Sequence, residues 1–241
     1  MKLLADIHTH SIASGHAYST ITENILAAKE MGLQMIALTD HAPEMQGTTR
    51  HAYFMNLQVI PDTLHGVRVL RGVELNIMDF DGTVDLDDYA LSRLDIAIAS
   101  LHPPCIAPGS RKENTNAYLR VMDHPYIDII GHPGDPRYDV DYKEVIRYAI
   151  KTNTLLEINN ASLMPDGFRA GSSENIEWIL NMAKEEGMPI VVGSDAHYFT
   201  GVGAFPYVER LLEKVRFPQE LILNLDPERL LQSLKSRAGE N

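Results

Sequence analysis

Short apolar runs alternate with stretches of helical period from one end of the chain to the other. Residues 3–7, Leu-Leu-Ala-Asp-Ile, read as a first strand. Residues 20–31 read as a helix: Thr20 and Glu23 form a capping box, Ile21, Ile25 and Ala28 share one face, and Gly32 ends it. Strands are predicted again at 35–38, 67–75, 96–100, 127–131, 154–158 and 190–193. Between them the spacing predicts helices over 86–94, 116–122, 141–151 and 173–186. The last is the clearest, with Ile176, Ile179, Leu180 and Ala183 on one face and Gly187 and Pro189 closing it. Two helices follow, one over 205–215 and one opened by Asp226-Pro227 and carrying Leu230, Leu231 and Leu234.

Seven strand-helix units of about 30 residues each fill most of the chain and predict a parallel sheet. No linker-like segment, internal repeat or low-complexity tract divides them, so residues 1–241 are expected to form a single domain.

Composition narrows the class. Of 241 residues, 44% are hydrophobic and 22% charged, which is a globular composition. The 33 acidic against 21 basic residues leave a net charge of −12, so no nucleic-acid partner is expected. No apolar run approaches the roughly 18 residues of a membrane span, and the first residues turn polar too early for a signal peptide. A cytoplasmic protein is expected. One cysteine excludes a disulfide framework and a cysteine-rich zinc ribbon. Ten histidines are the unusual figure.

Their positions carry the argument. His8, His10 and His16 follow the first strand, and His41 follows the second. Glu74 lies at the end of the third, His102 after the fourth, His132 after the fifth, and Asp195 and His197 after the seventh. In a parallel barrel the C-terminal strand ends converge on one cavity, whereas an open sheet would spread these residues along a line. An α/β fold of the distorted (β/α)7 type, similar to a TIM barrel, is therefore expected. His8 and His10, at i and i+2, point to one side of a strand. His51, His65 and His124 fall away from strand ends and read as surface residues.

Nine imidazole and carboxylate ligands divide as three threes, which suits three divalent ions with open positions. The ligand chemistry admits zinc, iron, manganese or cobalt. Neighbouring ions of this kind hydrolyse phosphate esters: a hydroxide made from bound water attacks phosphorus while the metals neutralise the charged oxygens. Glu74, Asp195 and His197 are the catalytic candidates, acting through that hydroxide. Arg111, Lys112 and Arg169, in loops expected on the same rim, are candidates for holding substrate phosphate. Asp40 is a candidate to orient the ring of His41. Asn159 and Asn160 can line the pocket or make a turn. Cys105 has no base placed to activate it. The acidic stretch from Asp79 to Asp88 lacks the ligand spacing of a calcium loop, and Gly201-Val202-Gly203-Ala204 lacks the strand that precedes a dinucleotide fingerprint.

The segments Asp6-Ile7-His8-Thr9-His10, Thr39-Asp40-His41, Gly72-Val73-Glu74, Ser100-Leu101-His102, Gly131-His132-Pro133 and Gly193-Ser194-Asp195-Ala196-His197, with His16, resemble the PHP (polymerase and histidinol phosphatase) superfamily. Asn114-Thr115-Asn116-Ala117 and Leu156-Glu157-Ile158-Asn159-Asn160 are similar to the YcdX-type phosphatases within it. The resemblance runs from residue 6 to about 235 and implies a distorted seven-stranded barrel with a trinuclear zinc site. It implies one metal on His8, His10, Glu74 and Asp195, a second on bridging Glu74 with His102 and His132, and a third on His16, His41 and His197. Zinc is the first expectation, with manganese or iron as alternatives, and the expected partner is a small phosphorylated metabolite. The expected activity is hydrolysis of phosphomonoesters. A histidinol-phosphate phosphatase is the nearest alternative; a phosphodiesterase or nuclease and a metal-binding protein without turnover stand behind it.

Overall fold

The computed structural model describes residues 1–235; residues 236–241 of the expected domain lie outside them. Seven parallel strands run in the order β1 (Ala5–Asp6), β2 (Met35–Leu38), β4 (Val67–Asn76), β5 (Ile96–Ser100), β6 (Ile129–Ile130), β7 (Leu155–Asn159) and β8 (Ile190–Gly193). An added strand, β3 (Thr63–Leu64), pairs antiparallel with the start of β4. The helices are α1 (Ile21–Glu30), α2 (His51–Asn56), α3 (Asp88–Leu91), α4 (Arg111–Met122), α5 (Tyr142–Thr152), α6 (Ser172–Glu186), α7 (Pro206–Val215) and α8 (Pro227–Ser233). None of them is long and apolar enough to cross a membrane.

The sheet closes into a nearly complete barrel, as the strand pattern predicts. β1 and β8 share no ladder, but just beyond them Thr9 and Ala196 form a parallel bridge. The Asp195 amide donates to the His8 carbonyl and the His10 amide to the Ala196 carbonyl, both at 2.9 Å. Lower in the same seam a side chain replaces the missing ladder. Asn224, fully buried, accepts from the Val192 amide at 2.7 Å and donates to the carbonyls of Ala5 at 2.9 Å and Val192 at 2.7 Å.

Period-two alternation divides the sheet into two faces. Outward residues such as Ile36, Leu38, Val73 and Ala97 pack under the helices, while Ala5, Ile7, Met35, Ala37, Leu70, Ile96, Ile98, Ile129, Leu155 and Val191 fill the barrel. Leu223 and Leu230 belong to this inner cluster. Following each inward column toward the C-terminal end, the apolar residues give way to polar ones. Met35 and Ala37 lead to His41, Leu70 to Glu74 and Asn76, Ile96 and Ile98 to His102, Leu155 to Glu157, and Val191 to Asp195.

Three helical differences from the expected pattern have local causes. α4 begins at Arg111 because Ser110 and Glu113 form a full capping box, so Arg111 and Lys112 lie in a first helical turn and not in a loop. The expected helix over 86–94 shrinks to α3, started by the Asp87 side chain accepting from the Ala90 amide. α2 is only six residues long and has no side-chain cap, which leaves little pattern to read.

Replacing Asn224 by alanine strands the buried Val192 amide and Ala5 carbonyl. At about 1–3 kcal/mol for a buried polar group left unpaired, Asn224→Ala should lower the urea unfolding midpoint strongly with little change in m-value. A midpoint unaltered by the substitution would show that the seam holds without it.

Candidate metal centre

Glu74 is the hub of the cavity. It is fully buried, and the inward phase of β4 carries it above the apolar floor. Its Oε2 lies 2.7 Å from His41 Nδ1, 3.3 Å from His8 Nε2 and 3.4 Å from His10 Nε2. Its Oε1 lies 2.9 Å from His132 Nε2 and 3.1 Å from His102 Nε2, and accepts from Ser100 Oγ at 2.7 Å. Asp195 Oδ1 lies 3.2 Å from His10 Nε2 and 3.7 Å from His8 Nε2. The ring of His16 lies against those of His41 and His197, with centroids 4.9 and 4.7 Å away. All nine residues singled out as ligands therefore meet around one cavity.

Two of them depart from ordinary backbone. His132 has φ 30° and Asp195 φ 57°. β6 stops at Ile130, and His132 is out of phase with the inward Ile129; the unusual backbone accompanies its turn toward Glu74. Non-glycine residues in this region cost of order 1–3 kcal/mol and collect at functional sites.

Four imidazoles have their Nδ1 engaged by a neighbour, which turns Nε2 toward the cavity. His8 Nδ1 bonds Glu157 Oε1 at 2.8 Å. His10 Nδ1 bonds Ser14 Oγ at 3.0 Å, whose own proton goes to Asp40 at 2.7 Å. His102 Nδ1 bonds Asn76 Oδ1 at 2.7 Å, and Asp85 fixes that amide by accepting from its Nδ2 at 2.6 Å. His197 Nδ1 donates to the Asp195 carbonyl at 3.0 Å. Asp40, expected to orient His41, instead accepts from the Ser11 amide, Ser11 Oγ, Ser14 Oγ and Tyr53 Oη, and acts on His10.

Glu157 is the functional residue that sequence reasoning passed over. It reaches inward from β7, binds His8, and accepts from the His132 amide at 2.8 Å through its other oxygen. A glycine makes room for it: a Cβ at Gly193 would lie 2.0 Å from Glu157 Oε1 and 2.6 Å from His8 Cβ. The available signal was a lone acid inside the apolar run Leu155-Leu156-Glu157-Ile158.

The donor set fits metal ions. Glu74 Oε2, His41 Nδ1 and His102 Nε2 are buried and make no hydrogen bond, although the first two stand 2.7 Å apart. Close approach without hydrogen-bond geometry suits unprotonated ligand atoms arranged around a cation. Three groups, His10–His41–His197, His8–His10–Glu74 and His41–Glu74–His102, each bring three ligand atoms within 4.8 Å of one another. His41 therefore stands nearer to Glu74 and His102 than the expected division into three sets placed it. Burial holds His102 down to about 3, outweighing the pull of Glu74. Burial and the charges of His41 and His197 hold His10 well below the usual imidazole value. Burial works against ionisation of Asp195 as well, but His8 and Arg169 together keep its carboxyl well below the ordinary range.

The other sequence candidates separate. Arg169 lies beside the cluster, nearly buried, with Nη1 2.8 Å from Asp195 Oδ2 and a buried Nε without a hydrogen bond. Arg111 and Lys112 line a different, outer groove beside Asp141 and Glu144, with Arg111 3.7 Å from Asp141. Asn159 donates to Asp195 at 3.3 Å and accepts from Ser162, while the Asn160 side chain accepts from the Tyr207 and Val208 amides at the start of α7. His51 and His124 pair with Asp87 and Asp88 away from the cavity, and His65 sits in the turn between β3 and β4. The Cys105 thiol is pushed up to about 11 by burial and nearby carboxylates, which leaves it protonated and unreactive. The acidic stretch is structural: Asp79 binds its own turn and Asp87 caps α3.

A PHP domain model matches residues 6–161. A probable phosphatase of Clostridium novyi (strain NT) is 44% identical over 98% of this chain and 96% of that protein. A probable phosphatase of Thermoanaerobacter sp. (strain X514) is 46% identical over 98% and 96%. Among solved structures, histidinol phosphate phosphatase of Lactococcus lactis, complexed with zinc, L-histidinol and phosphate, superposes with a TM-score of 0.64 at 17% identity. The superposition covers 90% of this chain and 95% of that one.

Glu157→Ala should weaken divalent-metal affinity about 10–100-fold by freeing the His8 ring, measured by competition with a chromogenic chelator. Arg111→Ala, in the outer groove, should leave that affinity unaltered. Equal effects of the two would contradict the division drawn here.

Proposed function

The chain belongs to the PHP family, and from that premise we propose that it is a metal-dependent phosphatase acting on small phosphomonoesters, with residues 1–241 forming one catalytic unit. The observation that carries this reading is the gathering of nine nitrogen and oxygen ligands around one cavity, five imidazoles among them on Glu74, with a buried guanidinium beside them. His8, His10, His16, His41, Glu74, His102, His132, Asp195 and His197 would hold three divalent ions. Their nitrogen and oxygen donors suit zinc, with manganese or iron also accommodated. Such ions supply Lewis-acid neutralisation of phosphate oxygens and activation of water at neutral pH.

The protein's own groups then do the positioning. Glu74 joins the His8–His10 side of the cavity to the His102–His132 side, so one carboxylate sets the spacing of the whole ligand set. Asp195 holds the cluster with one oxygen and Arg169 with the other. Arg169 Nε makes no hydrogen bond and lies 3.8 Å from Asp135 Oδ2, and we assign the guanidinium to a phosphoryl oxygen of the substrate. The Nδ1 partners hold the rings in one tautomer, so no ring has to reorganise when charge develops. Glu74, Asp195 and His197 thus serve catalysis through the ions they hold.

Metal analysis of protein purified without added metal should give three ions per chain, and a chelator should abolish hydrolysis of an aryl phosphate monoester. One ion per chain would overturn the trinuclear reading, and turnover of the diester alone would overturn the phosphatase reading. His16→Ala should empty one site while the His8–His10 pair stays loaded; loss of every ion together would show the sites to be inseparable.

A further inference from the structure

The cleft above the ligand cluster has a lining of two unlike kinds. Its polar part is His16, His41, His102, His197, Asp195 and Arg169, where a phosphoryl group belongs. Its apolar part is Met45, Pro103, Pro104, Ala161, Met164 and Phe168. The cavity measures about 620 Å³, a volume typical of sites that enclose a whole organic ligand and not an inorganic anion alone.

We propose that the alcohol half of the substrate is uncharged and carries a planar ring, which lies against Met164 and Phe168. This rests on the phosphatase reading above and specifies its substrate class. Three observations point the same way.

First, Phe168 is 77% exposed although it borders the cleft. The Arg137 guanidinium lies 4.5 Å from its ring centroid, a cation-π contact that favours this position of the ring. Arg137 is itself clamped by the buried Asp135 carboxylate, with Nε 2.9 Å from Oδ1. An anchored aromatic face left open beside a reaction centre is a stacking platform. Second, the loop that bears it is preset. The Gly167 amide donates to the Met164 carbonyl at 3.0 Å, and a Cβ on Gly167 would lie 3.0 Å from both the Ala161 and Met164 carbonyl oxygens. Met164 and Phe168, at the two ends of this turn, both line the cleft, and a thioether packs well on the edge of a ring.

Third, the polar complement is sparse. Among the described lining residues, Gln46 is the one polar side chain outside the ligand cluster and Arg169. A polyol would lose its water without gaining partners. A second phosphate would find only Arg169, already bonded to Asp195. An amino alcohol would need a free carboxylate, and Asp195, the one acid on the lining, is spent on Arg169 and the ligand cluster.

The test compares three esters of primary alcohols, whose leaving groups differ little in basicity: 2-phenylethyl phosphate, glycerol 3-phosphate and histidinol phosphate. With the metal-loaded enzyme, kcat/KM for the phenylethyl ester should exceed the other two roughly 10- to 100-fold, the range that burying one apolar ring supplies. Phe168→Ala should bring the phenylethyl-to-glycerol ratio toward one, chiefly by raising KM for the phenylethyl ester, and Phe168→Tyr should restore it. Calorimetric binding of 2-phenylethylphosphonate against 2-hydroxyethylphosphonate should show the same preference without turnover. Comparable turnover of all three esters, preference for either polar ester, or an unaltered ratio in Phe168→Ala would overturn the inference and leave the phosphatase reading standing. Hydrolysis of none of them would overturn the phosphatase reading, and the substrate class would fall with it.

Discussion

Closure of the seam between β1 and β8 is the constraint on which everything else depends. His8, His10 and His16 follow the first strand and Asp195 and His197 follow the last, so five of the nine ligands come from opposite ends of the sheet. A ladder between the two strands is missing, and side chains do its work. Asn224 ties the lower seam, while Asp6 reaches across the upper one to accept from the Ser194 and Gly203 amides at 3.0 and 2.9 Å. Burial raises that carboxyl to about 6 against the pull of those amides. A charge tolerated at such a place marks a junction that cannot be made by backbone alone.

Above the seam the rest follows from alternation. On β2, β4, β5, β7 and β8 one inward phase supplies both the barrel's apolar filling and part of its reactive end, so the floor and those side chains are set by the same register. His8, His10 and His132, by contrast, are out of phase with the inward Ala5, Ile7 and Ile129 and reach the cavity from the segments that follow β1 and β6. A slip of one residue in β4 would turn Glu74 outward into the helix layer and break five imidazole contacts at once. This is why a site gathered from seven segments can be stiff without a disulfide or a dedicated subdomain.

The same register explains what was readable in the sequence. Barrel, strand order and the nine converging side chains could be read, because apolar runs ending in histidine or acid are a one-dimensional trace of a three-dimensional rim. Glu157 was missed since it sits inside its strand and not after it; only its isolation among Leu155, Leu156 and Ile158 hinted at an inward charge. Adjacency along the chain points Asp40 at His41, whereas the turn at Ser11 and Ser14 folds back to put His10 at the end of the relay. Arg111 and Lys112 were placed on the rim by loop length, and a capping box at Ser110 and Glu113 converts that loop into helix. The apolar wall with Phe168 has no periodicity at all, since it is assembled from three loops.

Electrostatics ties the polar and apolar parts of the cleft's lining into one device. Glu74, Glu157 and Asp195 are buried carboxylates, and among the described residues Arg169 is the guanidinium set against them. Taken alone these side chains leave a surplus of negative charge in a medium that penalises it. Burial at the same time holds His10 and His102 neutral, so their lone pairs and the carboxylates form a donor set whose unmet charge calls for cations. With the proposed cations in place the ligand cluster would turn positive and take an anion, while Met45, Pro103, Pro104, Ala161, Met164 and Phe168 offer apolar surface in the same cleft. A cleft of that kind sorts ligands by joining two demands in one molecule: a dianionic head on one side and an uncharged, desolvated body on the other.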